Sequence, residues 1–348
     1  MRTRPSVLIP GIAALVGVLA LSGCGGSAKA TPAANSAGSG SPEKLTLRYQ
    51  GSANAVSLPE LAADLGYLGK IKLDWVGNTI SGPQDIQSAA TNQTDFGGAF
   101  SGAVVKLIEA GAPVKAVINY YGEDAKSFYG FYVNADSPVH SARDLIGKTI
   151  GVNVLGAHAE AVIDTYLQQN GLTPAEVKQV QLVVIPPNDT EEAVRKGQVT
   201  VGALSGVLQD HAVATGGLRR LFSDYGIFGA FDGGQYVLRN DFIKKYPNTA
   251  KIFVTGVAKA IEWERSTPKD QVIAEFTKII TGRNRKESTA NLKYWKSVGI
   301  PAKGGVITDK DFTQWTGWLS SAGVVKGTLT PSKYYTNALN GLATAATS

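Results

Sequence analysis

The sequence predicts an α/β protein of two lobes, each a mainly parallel sheet flanked by helices, followed by a helical C-terminal extension. Three observations carry this. The chain has 348 residues, more than one hydrophobic core usually serves. Hydrophobic residues make up 43% of it and charged residues 18%, apolar enough for a sizeable core and outside the composition of disordered chains. From Pro42 onward, short β-type runs alternate with helical periodicity, and beyond Arg239 the pattern becomes almost wholly helical.

The N-terminal segment stands apart from this alternation. Arg2 and Arg4 precede an apolar run from Val7 to Leu21 that Pro10 and Gly11 interrupt. It falls short of the roughly 20 residues a spanning helix needs, so residues 1–23 read as a signal peptide. Leu21-Ser22-Gly23-Cys24 resembles a bacterial lipobox, which makes Cys24, the one cysteine of the chain, the expected lipidation site. A single cysteine also excludes internal disulfides and cysteine-based zinc sites. Residues 24–43 are dominated by Gly, Ser, Ala, Pro, Thr and Asn and read as the lipidated Cys with a flexible tether.

Strands are expected over Leu45 to Gln50, Lys70 to Val76, Asp95 to Phe100 and Val114 to Tyr120, with helices over Ser57 to Leu68, Gly82 to Asn92 and Gly102 to Ala110 between them. Single helices joining successive strands imply parallel pairing through right-handed crossovers. A second series follows. Its strands are Phe128 to Asn134, Thr149 to Val154, Val180 to Ile185 and Val199 to Leu204, and its helices Ala142 to Ile146, His158 to Asn170, Thr190 to Lys196 and Val207 to Ala214. Gln235 to Arg239 is the last strand; the helical stretch after it holds Trp263, Trp295, Trp315 and Trp318, read as packing residues. The expected division is a first lobe over 44–124, a second over 125–234, and 235–348 returning to the first lobe and ending in helices.

Charge excludes one class of partner. Removal of Arg2 and Arg4 with the signal leaves 32 basic against 28 acidic residues, a net charge of +4. The basic residues are dispersed rather than clustered, so nucleic acid is not an expected partner. The three histidines, His140, His158 and His211, are far apart in sequence. No metal and no cofactor are expected.

In open parallel sheets, ligands collect beyond the carboxyl ends of strands, where helix N-termini point. Several junctions of that kind are rich in Gly and Ser: Ser81-Gly82-Pro83, Ser101-Gly102, Gly156-Ala157-His158 and Ser205-Gly206. Gly allows close backbone approach, the free first-turn N–H groups donate, and Ser adds a hydroxyl, which together make a neutral cradle for an anion. The expected ligand-binding set is Ser57, Ser81, Gly82, Ser101, Gly102, Tyr120, Tyr121, Gly156, His158 and Ser205. Within it Ser57 opens the first helix, and Tyr120 and Tyr121 offer ring faces at a strand end near the expected crossing between lobes. Glu123, Asp124 and Asp232 fall on the crossing segments and read as solvated acids.

Particular motifs carry a resemblance. Asp64-Leu65-Gly66-Tyr67, Asp95-Phe96-Gly97 and Gly111-Ala112-Pro113-Val114-Lys115 in the first lobe are followed in the second by Asp136-Ser137-Pro138, by the run from Asp144 to Val152, by Asn170-Gly171-Leu172-Thr173-Pro174, by Val177 and by the run from Ala193 to Val199. In order and spacing, from about Leu45 to Trp263, the chain resembles solute-binding lipoproteins of ABC importers, in the sulfonate, nitrate and taurine group related to thiamine-precursor binders. The resemblance implies the type 2 periplasmic-binding-protein fold. It also implies capture of a small anionic solute between two lobes and delivery to an ABC permease and its ATPase by a monomer, lipid-anchored on the extracytoplasmic face of the membrane. A flat heterocycle is the alternative ligand, and an enzyme on the same scaffold the alternative class. Against an enzyme, the sequence lacks a G-x-S-x-G elbow and Walker or dinucleotide fingerprints. It departs from the group at Thr200 to Gly206, where small residues replace a bulky cleft wall.

Overall fold

The computed structural model describes residues 40–343; the expected signal peptide, the expected lipidation site Cys24 and most of the expected tether lie outside them. The chain begins with β1 (Thr46–Gly51), α1 (Leu58–Asp64), β2 (Lys72–Asn78), α2 (Gly82–Ala90), β3 (Phe96–Phe100), α3 (Ser101–Glu109) and β4 (Val114–Glu123). It continues through β5 (Gly130–Asn134), β6 (Thr149–Val152), α4 (His158–Gln169), α5 (Pro174–Val177), β7 (Gln181–Val184), α6 (Pro187–Arg195), β8 (Val201–Leu204), α7 (Gly206–Thr215) and β9 (Leu218–Ser223). The remainder is α8 (Asp224–Phe228), β10 (Phe231–Arg239), α9 (Asn240–Lys245), α10 (Pro247–Ser266), α11 (Lys269–Gly282), α12 (Lys310–Thr313) and α13 (Thr316–Ser321).

Local chemistry explains the boundaries. Ser57 caps α1 in a reciprocal capping box with Glu60, with Pro59 in the first turn, where the missing N–H costs nothing. Thr173 and Glu176 do the same for α5. Alternating burial in β1 places Leu47 and Tyr49 in the core, whereas β3 and β10 are buried along their whole length, as strands covered on both faces must be.

All strands between residues 130 and 223 join one five-stranded sheet ordered β7-β6-β8-β5-β9; the strands outside that span form a parallel β1-β2 pair and a three-stranded sheet ordered β3-β10-β4. β6 runs parallel to β7 and β8, as their helical crossovers require. The pairing departs from a simple parallel series at two places: β5 is antiparallel to both β8 and β9, and β10 lies between β3 and β4, antiparallel to both. β3 and β4 therefore still point the same way, but the return strand separates them. β9, α5 and α8 lie outside the elements expected from the sequence. In β9, Arg219 and Arg220 interrupt the apolar alternation; Arg219 is spent on the carbonyls of Ser137 and Val139, and Arg220 lies over the ring of Phe128 at 4.9 Å.

Beside two small clusters at Tyr132 and Val194, two large apolar cores result. One gathers β1, α1, α10 and α11 around Leu47, Phe96, Phe253 and Val257. The other extends from the five-stranded sheet through α2, α3 and α4 to Trp315 and Trp318. Trp315, 1% exposed, packs edge-on to Phe100 and Phe231. No helix among the described residues is long and apolar enough to cross a membrane.

The chain passes between the two sheet systems twice, between β4 and β5 and between β9 and β10. The two passages are stitched together: Tyr129 N–H donates to Asp224 Oδ1 at 3.0 Å, and Asp224 N–H donates to Tyr129 O at 3.1 Å.

Candidate functional site

Two neighbourhoods combine strand ends, helix starts and uncommitted polar groups. The first is a 440 Å³ cavity beyond the carboxyl ends of β1 and β2, lined by Gln50, Asn78, Thr79 and Ile80 and by Gln84, Gln87 and Ser88 of α2. Its lining is four amides, two hydroxyls and one aliphatic side chain, with no charge. Gln50 Oε1 is buried without a hydrogen-bond partner. Ser81 caps the adjoining helix in an extended conformation (φ −129°, ψ 110°), and its side chain makes no capping bond. From the other sheet system, Asn153 Nδ2 reaches the Ile80 carbonyl at 2.9 Å, on the cavity's rim. One turn into α2, Asp85 Oδ2 accepts the Gly98 N–H at 2.7 Å while Oδ1 is unpartnered. Burial pushes the Asp85 carboxyl up to about 7 against the lowering effect of that bond.

The second neighbourhood is the aromatic junction where the two crossing segments meet the start of α4. His158, the first residue of α4 and buried, has five rings around it: Phe100 stacked at 5.3 Å, Tyr129 at 5.4 Å, Trp315 at 5.8 Å, Tyr121 at 5.9 Å and Phe231 at 6.0 Å. Its Nε2 is 3.2 Å from Asp224 Oδ2, close enough for charge attraction but without the alignment of a hydrogen bond. Asp224 Oδ1 is fully used, accepting N–H groups from Tyr129 at 3.0 Å and Tyr225 at 2.6 Å. Glu123 completes a set of three ligating groups whose atoms lie within 4.8 Å of one another. Burial, and next the negative charge of Asp224, raise the Glu123 carboxyl well above the usual carboxylate range. Burial likewise raises the Tyr121 phenol, with nearby Tyr120, Glu123 and Asp224 adding to it.

The acids at the crossings thus depart from the solvated character expected of them. Glu123 is 4% exposed and Asp232 6%; only Asp124 is half-exposed, and it ties the turn by accepting the N–H groups of Lys126 and Ser127. Asp232 is raised to about 7 by burial and then by Asp311. They are inside because β4 and β10 extend to Glu123 and Phe231 as paired strands, carrying their side chains beneath the crossing.

The structure brings Tyr121 and His158 together and leaves Ser81 with an uncommitted hydroxyl; the other expected ligand-binding residues have structural employment or stand elsewhere. Ser57 is engaged in its capping box with Glu60. A Cβ on Gly82 would stand 2.9 Å from that of Ala99, so this glycine seats α2 on β3. Ser101 belongs to a buried chain of bonds: its hydroxyl donates to Gly233 O at 3.1 Å and accepts from Gln235 Nε2 at 3.0 Å, and Gln235 in turn reaches Asn119. A Cβ on Gly102 would meet the Phe100 and Trp318 rings at 2.5 and 2.9 Å, so this glycine seats α3 against them. Tyr120 stacks on Tyr236 at 4.2 Å. Gly156 donates to Glu160 at 2.7 Å and accepts from Lys106 at 3.2 Å, with a positive φ of 71° that favours glycine. Ser205 caps α7, exposed and without a side-chain capping bond. The sequence reading missed Gln50, Asn78, Gln84 and Gln87 because isolated amides carry no motif. It missed Asp85 and Asp224 because one acid in an apolar stretch reads as a surface or capping residue.

Residues 61–271 match the NMT1/THI5-like family. The chain belongs to that family. No curated protein matches the sequence. Among solved structures, the periplasmic aliphatic sulphonate binding protein SsuA from Escherichia coli is similar at 17% identity and a TM-score of 0.64, with 84% of this chain and 92% of that one covered. The periplasmic nitrate-binding protein NrtA from Synechocystis PCC 6803 shares 12% identity at a TM-score of 0.65, covering 86% of this chain and 88% of that one. The desulfurization enzyme DSZB is also similar, at 16% identity and a TM-score of 0.56, over 85% of this chain and 97% of that one. These likenesses establish the type 2 periplasmic-binding-protein fold expected from the sequence.

Proposed function

We propose that the protein is the solute-binding component of an ABC importer, anchored through Cys24 on the extracytoplasmic face of the membrane. In this reading it captures a small anionic solute between two lobes, divided at about residues 124 and 234. The observation that supports it best is the 440 Å³ cavity beyond the carboxyl ends of β1 and β2, with neutral donors around it, an uncommitted Ser81 at the helix start beside it and a contact from the second sheet system on its rim. That volume suits a small molecule. Amide and hydroxyl donors with a helix N-terminus hold an anionic head group without a countercharge, and the sulfonate- and nitrate-binding proteins of the same fold fit that class. Binding rather than turnover is favoured because a chain tethered outside the cytoplasm, as the lipobox-like segment ending at Cys24 implies, suits capture.

The test is calorimetry with alkanesulfonates, taurine, nitrate and a pyrimidine thiamine precursor, on the parent and on Ser81→Ala combined with Gln84→Ala. Loss of two donors to a charged group, at about 1.5 kcal/mol or more each, should raise the sulfonate Kd at least about a hundredfold. Tight binding of the uncharged heterocycle, unaffected by both changes and with no response to any sulfonate, defeats this ligand class. The anchor is tested separately: Cys24→Ala should leave the protein unprocessed or released from the membrane fraction.

A further inference from the structure

We propose that Glu123, His158 and Asp224 form a binding site for a divalent transition-metal ion at the junction of the two crossing segments. This site is distinct from the solute cavity and does not depend on it. One imidazole nitrogen and two carboxylates within 4.8 Å of one another are a donor set suited to borderline ions such as Zn²⁺ or Co²⁺ and to the harder Mn²⁺. Asp224 is divided between two jobs. Its Oδ1 is saturated by the Tyr129 and Tyr225 N–H groups, which fix the carboxylate plane, while Oδ2 is buried, unpartnered and turned toward His158. His158 Nε2 is likewise buried and without a hydrogen bond. Two buried donor atoms left over 3.2 Å apart need a shared partner, because a buried polar atom without one is costly.

Charge leads to the same place. Among the described residues, no Lys or Arg pairs with Glu123 or Asp224, whose only salt-bridge neighbour is His158. A divalent cation would offset the mutual repulsion of the two carboxylates, which lie beside one imidazole. Rigidity supplies the pre-organisation a metal site requires. The five surrounding rings hold the imidazole, and the backbone bonds between Tyr129 and Asp224 hold the two segments together. An ion bound here would clamp both crossings to the start of α4.

The experiment uses the purified full chain, stripped with EDTA and dialysed, then titrated with ZnCl₂ by calorimetry and with CoCl₂ by visible absorption. The expected result is one equivalent of Zn²⁺, a Co²⁺ band from a bound rather than hydrated ion, and a melting temperature raised by about 5 °C or more at saturation. The isosteric changes Glu123→Gln and Asp224→Asn should each weaken binding by about tenfold or more. His211→Gln, at the partly exposed pair with Glu191, should leave it unchanged. Circular dichroism confirms that each variant is folded. X-ray absorption at the zinc edge reads the ligands directly and should show one imidazole with oxygen donors, independently of any variant. No binding to the stripped parent, or binding that survives both isosteric changes, overturns the proposal. Solute binding by the EDTA-stripped protein tests the importer reading alone, so the two ideas fail separately.

Discussion

Glu264→Gln is expected to stabilise the protein at alkaline pH and to do little in acid. Glu264 lies on α10, 7% exposed, and no described side chain hydrogen-bonds its carboxyl group. Burial alone raises it from an ordinary 4.5 to about 8. The folded state therefore holds a proton that the unfolded chain releases, and the associated stability is complete below about 4.5 and lost as pH rises toward 8. At roughly 1.4 kcal/mol per unit the shift corresponds to a loss of about 4 kcal/mol by pH 8. Glu264 also borders a 500 Å³ cavity beside Lys126, Lys269 and Trp295, and water there lowers the figure toward about 2 kcal/mol. Glutamine keeps the shape and cannot ionise. In urea or thermal melts at pH 8 the variant should exceed the parent by about 2–4 kcal/mol, or several degrees, with the gap closing at pH 4.5. A gap of equal size at both pH values, or one of opposite sign at pH 8, would refute the assignment of a neutral buried carboxyl group.

Three other outcomes follow from particular contacts. Ser101→Ala should cost about 1–3 kcal/mol of stability, read in denaturant melts, because Gln235 and Gly233 lose their shared hydroxyl; a loss of solute affinity without a loss of stability would restore Ser101 to the ligand set. Gly234→Ala places a Cβ 2.3 Å from the Tyr121 ring and 2.4 Å from the Ala99 carbonyl oxygen, so it should destabilise by about 1–3 kcal/mol and displace Tyr121, seen as a shift of its aromatic signals. Lys296 pairs with Asp210 of α7, and Tyr294 meets His211 edge-on at 5.4 Å, so the segment after α11 fastens onto the five-stranded sheet's helices. Lys296→Met should weaken solute binding by up to about fivefold, within the range of a half-exposed ion pair, and enlarge the radius of gyration in scattering of the solute-free protein; an unchanged scattering profile would exclude this pair as a latch.

The sequence by itself determined most of the order of elements, β9, α5 and α8 excepted, since periodicity and capping are local. The capping box at Ser57 and Glu60, the Pro-led start of α2 and the strand-helix alternation up to Leu204 are all present in short windows of residues. Family membership was also legible, because the spacing of its motifs survives in one dimension. Only the tertiary structure decided which polar residues are free to act. Ser81 and Ser101 stand in similar Ser-Gly contexts, yet Ser101 is enclosed by β10 and joined to Gln235, 134 positions away, while Ser81 has an uncommitted hydroxyl. The same holds for Glu123, His158 and Asp224, which no local pattern connects. They meet because β10 inserts antiparallel between β3 and β4, drawing the second crossing against the first, and burial then changes the chemistry of groups that sequence alone reads as solvated.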